Sequence, residues 1–479
     1  MATVGYMEKA VVIGAGISGL ACAHRLKQLG IRCVVLETNK RAGGVIATIR
    51  RNGYLFETGP QCPRFPTSVW QLVRELNLEG NFVPGDPKAK RYILRHGRLH
   101  PAPFSPKGLI TTRLVGLGSK LRILSEAFRS SQPPLQEESL AEFVHRKFGD
   151  EVLDNLVDPM ISTIFSGDAS KMGMKGAFPA LVEWERNEGS LVRGALRARK
   201  SKREVKASDG SSQRRREHAK NNALYVTDAL PSLGSFTSGM GILPERLAEE
   251  LRPEIRYQAG VAGISLLRKE NGPSNANWQL ELDSGEKLAT ENLVLAVPAF
   301  VAAQLLANAV PQLAIHLKTI EYAPMCVVSS AYDRSKVVNS LDGFGFMVPR
   351  REGLRTICTF WNSSLFPQRA PEDKVLLTSF ARNGTSEEDC AQIVEAENAK
   401  TLRITGGPVD RVVWKEPQAL PQYNVGHAQR VTEIDSVLRT LASLHVVGNF
   451  LRGRSIGDCV ELAFRVAEDL HSHLQGKVI

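Results

Sequence analysis

The sequence is poor in cysteine: seven in 479 residues, at Cys22, Cys33, Cys62, Cys326, Cys358, Cys390 and Cys459. They are odd in number, scattered, and form no CxxC pair. This argues against a disulfide framework and a structural zinc site, and favours a reducing compartment. No basic stretch followed by an apolar core opens the chain, so no secretory signal is expected. Long apolar runs are lacking too. The best candidate, residues 293–315, is interrupted by Pro298, Gln304, Asn308, Pro311 and Gln312. A spanning helix needs about 20 predominantly apolar residues, so the stretch predicts a strand, a proline turn and an amphipathic helix. No internal repeat is found. The expectation is a protein that is cytoplasmic, or peripheral at the inner face of a membrane, without a transmembrane span.

What is present is ordinary globular material, 43% hydrophobic and 23% charged, long enough for two or three domains. Lys and Arg number 61 against 50 Asp and Glu, for a net charge of +11. A basic surface suits acidic ligands, anionic lipid or nucleic acid, without choosing among them. Part of the excess is local. Arg197, Arg199, Lys200, Lys202, Arg203, Lys206, Arg214, Arg215, Arg216 and Lys220 crowd into residues 197–222, where no apolar residue anchors them. This predicts a flexible basic loop. It reads first as a solvated insertion and second as a contact for anionic lipid, worth roughly 1 kcal/mol per basic residue.

Residues 9–13 have the pattern of a buried strand. Gly14-Ala15-Gly16-Ile17-Ser18-Gly19 then turns into a helix through about Leu29, Gly30 ends it, and residues 31–37 form a second, parallel strand. A helix N-terminus offers unsatisfied N–H groups and a positive dipole end to a pyrophosphate. Gly14 permits the tight turn, Gly16 lets the backbone approach the phosphate, and Gly19 lets helix and strand pack. Glu37, at the end of the second strand, is placed to accept ribose hydroxyls and would repel a 2′-phosphate. The unit therefore binds a dinucleotide other than NADP. Downstream come Arg41-Ala42-Gly43-Gly44 and a hairpin closed by Phe56-Glu57-Thr58-Gly59-Pro60. This resembles the extended signature of FAD proteins of the glutathione-reductase and amine-oxidase type. At the other end, residues 446–449 and Gly453 to Cys459 run into a helix through Leu470, a second helix N-terminus for the same cofactor. Asp458 there reads equally as a plain cap.

Between the ends, helices are expected at 69–76, 140–148 and along 151–196. Short strands are expected from 255 to 297, separated by Asn-Gly and Ser-Gly turns, and antiparallel strands over 323–334 and 342–380. First and last segments look alike with other material between them, as a discontinuous α/β domain interrupted by a second domain would produce.

The chain resembles the oxygen-dependent, FAD-containing protoporphyrinogen oxidase family over nearly its whole length. Beyond the N-terminal fingerprint, the resemblance is carried by Lys90-Arg91, Gly343-Phe344-Gly345 ahead of Val348-Pro349, and Phe366-Pro367. Pro421-Gln422-Tyr423 with Gly426-His427, and Asp458-Cys459-Val460-Glu461, carry it further. It implies an α/β (α+β overall) architecture in three parts: a Rossmann-like FAD domain (1–85, 223–300, 440–479), an antiparallel-sheet substrate domain (86–94, 301–439) and a helical membrane-binding insertion (95–222). It implies non-covalent FAD held by Gly14 to Gly19, Glu37, Arg41, Gly43, Gly44, Val45, Gly59, Pro60, Gln61, Val261, Trp414, Asn449, Arg454, Ser455 and Ile456. For the porphyrinogen it implies Arg91 against a propionate and a slot lined by Phe344, Met347, Phe360 and Phe380. The implied reaction removes six electrons from protoporphyrinogen with three O2, releasing three H2O2. No Ser-His-Asp or metal constellation is needed or found, because the cofactor carries the redox chemistry. His427 reads as structural before it reads as a base. The implied partners are the substrate, O2 and a membrane surface held monotopically, with a homodimer allowed and no nucleic acid.

Some positions depart from the family pattern: Val45 after the double glycine, Thr163 where glycine is frequent near the substrate, and Ser238 before Gly239-Met240. Thr163 bears on the width of the slot. Three alternatives stay open on the same scaffold. They are coproporphyrinogen oxidation, amine oxidation or carotenoid desaturation with Cys459 as the only candidate for a flavin linkage, and a non-catalytic carrier.

Overall fold

The computed structural model describes residues 8–208, 233–267, 277–382 and 386–476. The first strand, Glu8–Ile13, is apolar on both faces and divides its residues between two cores. Ala10 and Val12 join one, Val11 and Ile13 the other, as a strand covered on both sides requires. The helix Ile17–Gln28 follows. Gly30, at φ +74°, ends it: Gly30 N–H donates to Lys27 O (3.0 Å) and Ile31 N–H to Leu26 O (2.9 Å). This left-handed glycine cap turns the chain into Cys33–Glu37, parallel to the first strand.

Seven strands make up this sheet. Their order is Val261–Leu266, Trp278–Leu282, Lys287–Leu295, Glu8–Ile13, Cys33–Glu37 and Ile255–Tyr257, with Leu444–Val446 pairing the end of Lys287–Leu295. Early, middle and late stretches of the chain thus share one layer. On one face, Leu20, Ala21 and Leu26 of the first helix pack with Val460, Ala463 and Ala467 of the long helix Ile456–Leu474. The stretch 293–315 is a strand followed by two short helices, Ala299–Leu306 and Pro311–Lys318, where one was expected. Pro311 begins the second, where a missing N–H costs nothing. Among the described residues no helix is long and apolar enough to cross a membrane.

The second sheet runs Asp410–Pro421, Tyr322–Asp333, Lys374–Ala381, Thr356–Trp361, Gly345–Met347, Arg91–Arg95 and Arg98–Pro101. It departs from the expected pattern twice. Gly345–Met347 pairs with Arg91–Arg95 in parallel, so the sheet is mixed. Tyr322–Asp333 does not alternate but is buried throughout Met325 to Tyr332. One of its faces carries the helix Glu387–Leu402, through Cys390, Ala391 and Val394, so both sides of the strand are covered.

Residues 106–208 are mainly helical, with loops at 129–139 and 166–173. Leu140–Phe148 begins with a capping box in which Ser139 and Glu142 satisfy each other's backbone N–H. Further on, a π-turn at Leu153–Val157 leads directly into Asp158–Phe165. The expected basic loop is corrected at its start: Leu191–Ser208 is one continuous helix. Its Ala, Leu, Arg and Lys are good helix formers, so charge alone did not mark a loop. The rest of that stretch, 209–222, lies outside the described residues, as does the Asn271-Gly272 turn.

Candidate active site

The glycine turn is built as its spacing predicts. Gly14 takes φ +103°, and a Cβ there would stand 2.7 Å from Ala296 O. A Cβ on Gly19 would stand 1.9 Å from Gly14 O, whereas one on Gly16 would meet nothing within 4 Å. Two glycines therefore serve packing, and the middle one leaves a cradle that a side chain would fill. Gly16 is also the N-cap of the first helix, which has no side-chain cap. Its first-turn N–H groups are directed at that cradle by helix geometry. Opposite, Gly43 N–H donates to Ala15 O (2.8 Å), and Arg41 pins the turn by bonding Ala42 O and Gly44 O. Two stretches of backbone without side chains, Gly16 and Gly43–Gly44, are thus bridged side by side at the head of the first helix.

Glu37 is buried beneath this turn. Its Oε2 accepts from Ala15 N–H (2.9 Å), while Oε1 accepts from Asn39 N–H (2.8 Å) and Nδ2 (2.7 Å). The acid thereby shapes the fingerprint and keeps one lone pair, on Oε2, free for a ribose hydroxyl. Ala259 N–H donates to Glu37 O (2.9 Å), which brings Val261 alongside. Next to the double-glycine turn, Thr58 Oγ donates to Val45 O (3.0 Å); the Val45 side chain is exposed. Following Pro60, Gln61 folds inward, its Nε2 donating to Gly59 O (2.8 Å).

The C-terminal segment meets the same region. Ser455 and Asp458 form a capping box at the head of Ile456–Leu474, so the cap reading of Asp458 holds. Tyr423 hydroxyl donates to Asn449 O (2.8 Å). Arg454 lies 4.0 Å from the centre of the Phe165 ring and donates to Ile164 O. Burial pulls its guanidinium down to about 10. His427 is buried, stacked on Tyr423 at 4.2 Å, with Nε2 3.1 Å from Leu451 O. Burial lowers its pKa. It braces the Pro-Gln-Tyr motif against the C-terminal loop and faces no open site.

The second sheet brings the four expected slot residues together. Phe344 and Phe360 meet edge-to-face at 5.6 Å, and Phe360 and Phe380 at 5.5 Å. Met347 pairs with Cys358, Cys358 with Phe380, Phe380 with Val327 and Val327 with Trp414. Directly paired residues share a face, so Trp414 lies on the slot side of the sheet. Leu156, within the π-turn, and Met160, just after it, pack against the cluster of Ile93, Met347 and Cys358. Thr163 is in hydrogen-bond contact with Cys358 and donates to Pro159 O (2.8 Å). It thus ties the helix Asp158–Phe165 to the strand Thr356–Trp361.

At the end of the aromatic wall stands Arg91. Its guanidinium carbon lies 4.4 Å from the centre of Phe344 and 5.7 Å from that of Phe104. Burial lowers its pKa, and no carboxylate among the described residues pairs with it. Its neighbours are engaged or outside: Lys90 pairs with Asp342 at 2.6 Å, Arg95 donates to Leu114 O at 2.6 Å, and Arg98 is exposed. The structure thus separates Arg91 from three basic residues that the sequence could not. Sequence reasoning also missed Glu57, Asn362 and Arg369, a buried polar group behind Gln61. Nothing in a Phe-Pro-Gln-Arg turn announces a buried arginine.

Known proteins share both the sequence pattern and the fold. The family model described as flavin containing amine oxidoreductase matches residues 17–471. Protoporphyrinogen oxidase 1, chloroplastic, of Arabidopsis thaliana is 30% identical over 97% of this chain and 88% of its own. A coproporphyrinogen III oxidase of Bacillus subtilis (strain 168) is 27% identical over 97% of this chain and 98% of its own. A crystal structure from Exiguobacterium sp. 255-15 shares the fold with TM-score 0.76 at 23% identity, covering 98% of this chain and 100% of that one. Reduced UDP-galactopyranose mutase shares it at 0.70 and 16%, covering 98% and 96%. The cofactor is accordingly a flavin. With a family model along almost its whole length and a relative 30% identical over 97% of it, the chain belongs to the flavin containing amine oxidoreductases and, within them, to the protoporphyrinogen oxidase family.

Proposed function

We propose that the protein holds FAD non-covalently and oxidises protoporphyrinogen IX to protoporphyrin IX, with three O2 reduced to three H2O2. The observation that carries this is Arg91: a half-buried, unpaired guanidinium stacked on Phe344 at the end of an apolar aromatic wall. A flat macrocycle with carboxylates on one edge matches it, the rings taking the macrocycle and the guanidinium fork a propionate. FAD, when bound, supplies hydride acceptance and reoxidation by O2. Gly16 and the Gly43–Gly44 turn would hold its pyrophosphate and Glu37 its ribose. Phe344, Phe360 and Phe380 orient the substrate, and with Leu156 and Met160 they keep water from the reacting carbon. Cys459 is ill suited to a flavin linkage. It is buried against Ser18, and burial pushes the thiol up to about 11, far from the thiolate such a bond needs.

A second observation bears on where the enzyme works. On the helix Leu117–Leu124, Leu117, Leu121 and Leu124 are exposed on one face, and Phe104, Ile110 and Phe128 are exposed nearby. This supports monotopic docking of the helical insertion on a lipid surface.

Porphyrin fluorescence and O2 uptake, measured together with protoporphyrinogen and coproporphyrinogen, test the function. Protoporphyrinogen should turn over faster, with three O2 per porphyrin. A strong preference for the four-carboxylate substrate, as the name of the Bacillus subtilis relative suggests, would sink the protoporphyrinogen assignment.

A further inference from the structure

We propose that Asn362 and Arg369 are positioning residues that lock the flavin-side turn Gly59–Gln61 to the aromatic wall of the slot. The inference deepens the flavin and porphyrinogen reading and stands on it. Both side chains are polar and almost completely buried, at 2% and 1% exposure. They lie on one short segment, Asn362–Leu365 and Pro367–Arg369, that directly follows the strand Thr356–Trp361.

Asn362 links to the turn itself, and Arg369 to Glu57, the strand end two residues before it. Asn362 Nδ2 donates to Gln61 Oε1 at 2.7 Å, and Gln61 Nε2 donates onward to Gly59 O at 2.8 Å. Arg369 Nη2 lies 2.9 Å from Glu57 Oε1 and also donates to Ser235 Oγ. Glu57 is held in turn by Met240 N–H (2.8 Å) and by Thr48 Oγ (2.7 Å). Burial pushes the Glu57 carboxyl up and the Arg369 guanidinium down, each opposed by the other's charge. An apolar pair of similar volume is usually no less stable than such a buried ion pair. Directionality, then, is what the pair supplies.

The wall hangs on the same segment. Phe360 is two residues before Asn362, and Trp361 N–H donates to Phe344 O at 3.1 Å. From the Phe360 ring to the Gly59 carbonyl the path is a short run of chain and two hydrogen bonds. A substrate resting on the wall and a flavin resting on the turn therefore meet at a separation set by these contacts. Hydride transfer needs reacting atoms about 3–3.5 Å apart, and a 1 Å misplacement costs about 100-fold.

The test separates the two half-reactions of the flavin-loaded protein by anaerobic stopped flow. In Asn362→Ala, flavin reduction by porphyrinogen should slow by at least about tenfold. Reoxidation of the reduced flavin by O2, which does not use the wall, should stay within about twofold, and flavin bound per chain should be unchanged. Arg369→Lys, which keeps a cation beside Glu57, should lose less reductive rate than Arg369→Met. Reduction at the wild-type rate overturns the proposal, and so does parallel loss of both half-reactions with flavin, which marks a merely structural role. Should Asn362→Ala not accumulate, Asn362→Leu keeps the buried volume but removes the donor to Gln61. The same selective loss is expected, and a wild-type reductive rate overturns the proposal equally. A wild-type flavin that no porphyrinogen reduces defeats the functional reading itself, and this inference with it.

Discussion

Two helices of this chain treat their leucines in opposite ways. In Ile17–Gln28, Leu20 and Leu26 are 0% exposed, covered by the helix Ile456–Leu474 from the far end of the same chain. In Leu117–Leu124, Leu117 and Leu121 are 73% and 59% exposed, and no described element covers them. The first helix is buried on nearly every side, while the second sets its leucines four and three residues apart along one face. Periodicity says which face is apolar, and only the tertiary structure says whether the chain supplies the cover. The first helix belongs to the proposed flavin cradle, inside the fold. The second belongs to a surface.

The sharpest way to press that contrast is at the cradle, where two glycines three residues apart have different surroundings. Gly19→Val is expected to abolish accumulation of folded flavoprotein, because even its Cβ would stand 1.9 Å from Gly14 O. Gly16→Val has open space at the same atom. It should fold with little change in stability yet bind flavin at least about 100-fold more weakly, since the side chain displaces charge-assisted N–H contacts to the phosphates. Circular dichroism and flavin-fluorescence titration read the two effects separately. Wild-type flavin affinity in Gly16→Val would remove the cradle from the site.

Arg91→Ala comes next. Losing one charge-assisted contact to a carboxylate costs about 1.5–3 kcal/mol, so the KM for porphyrinogen should rise roughly 10- to 100-fold. The turnover number and bound flavin should hardly change, because Arg91 touches neither cradle nor turn. Arg91→Lys should fall between, keeping the charge without the planar fork. Steady-state kinetics with flavin content measured alongside decides it. An unchanged KM would return Arg91 to the ordinary surface arginines.

These cases show what was legible in the sequence. Gly14, Gly16, Gly19 and Glu37 could be placed because their roles are local: a turn, a helix start and a strand end within thirty residues. The slot was legible only through resemblance, since Phe344, Phe360 and Phe380 come from three separate stretches and would pass as sheet core. Glu57, Asn362 and Arg369 were invisible, because a buried ion pair between segments 312 residues apart has no local pattern. The helix Leu191–Ser208 was misread for the opposite reason. Its charge density resembled that of a loop, while its Ala, Leu, Arg and Lys carried helix propensity that a charge count does not see.

The comparison extends to protons. His445, on the strand Leu444–Val446 of the flavin-side sheet, is pushed down to about 4 by burial. Its folded pKa lies below the unfolded value of about 6.5, so the folded protein favours the neutral ring. That stability is fully present above about pH 6.5 and is lost as pH falls toward about 4, where the unfolded chain takes up a proton the folded one resists. The residue is partly exposed, so the loss should be about 1–2 kcal/mol, less than the full shift allows. His427 acts in the same direction. Urea unfolding at pH 7.5 and 5 should show His445→Gln flattening the pH dependence of wild type. An equal slope in both would mean that His445 titrates freely in the folded protein.

The smallest effect on stability carries the comparison furthest. Changing Leu117, Leu121 and Leu124 together to Ser removes three exposed side chains, and exposed substitutions usually stay within about 0.5 kcal/mol each. The modest helix propensity of Ser adds a few tenths per site, so the thermal midpoint should move little. Leu20→Ser is the control, since burying a hydroxyl where Leu20 was should cost several kcal/mol. On vesicles the order should reverse. Each leucine entering lipid is worth about 1.5–3 kcal/mol, so the triple variant should lose liposome binding by more than about 100-fold. If the variant unfolds, the patch was core after all. If it binds liposomes as wild type does, the lipid contact lies elsewhere. If the wild-type protein is a dimer that the triple change splits, the missing cover is a second copy of the chain, and the two helices differ only in which chain supplies it.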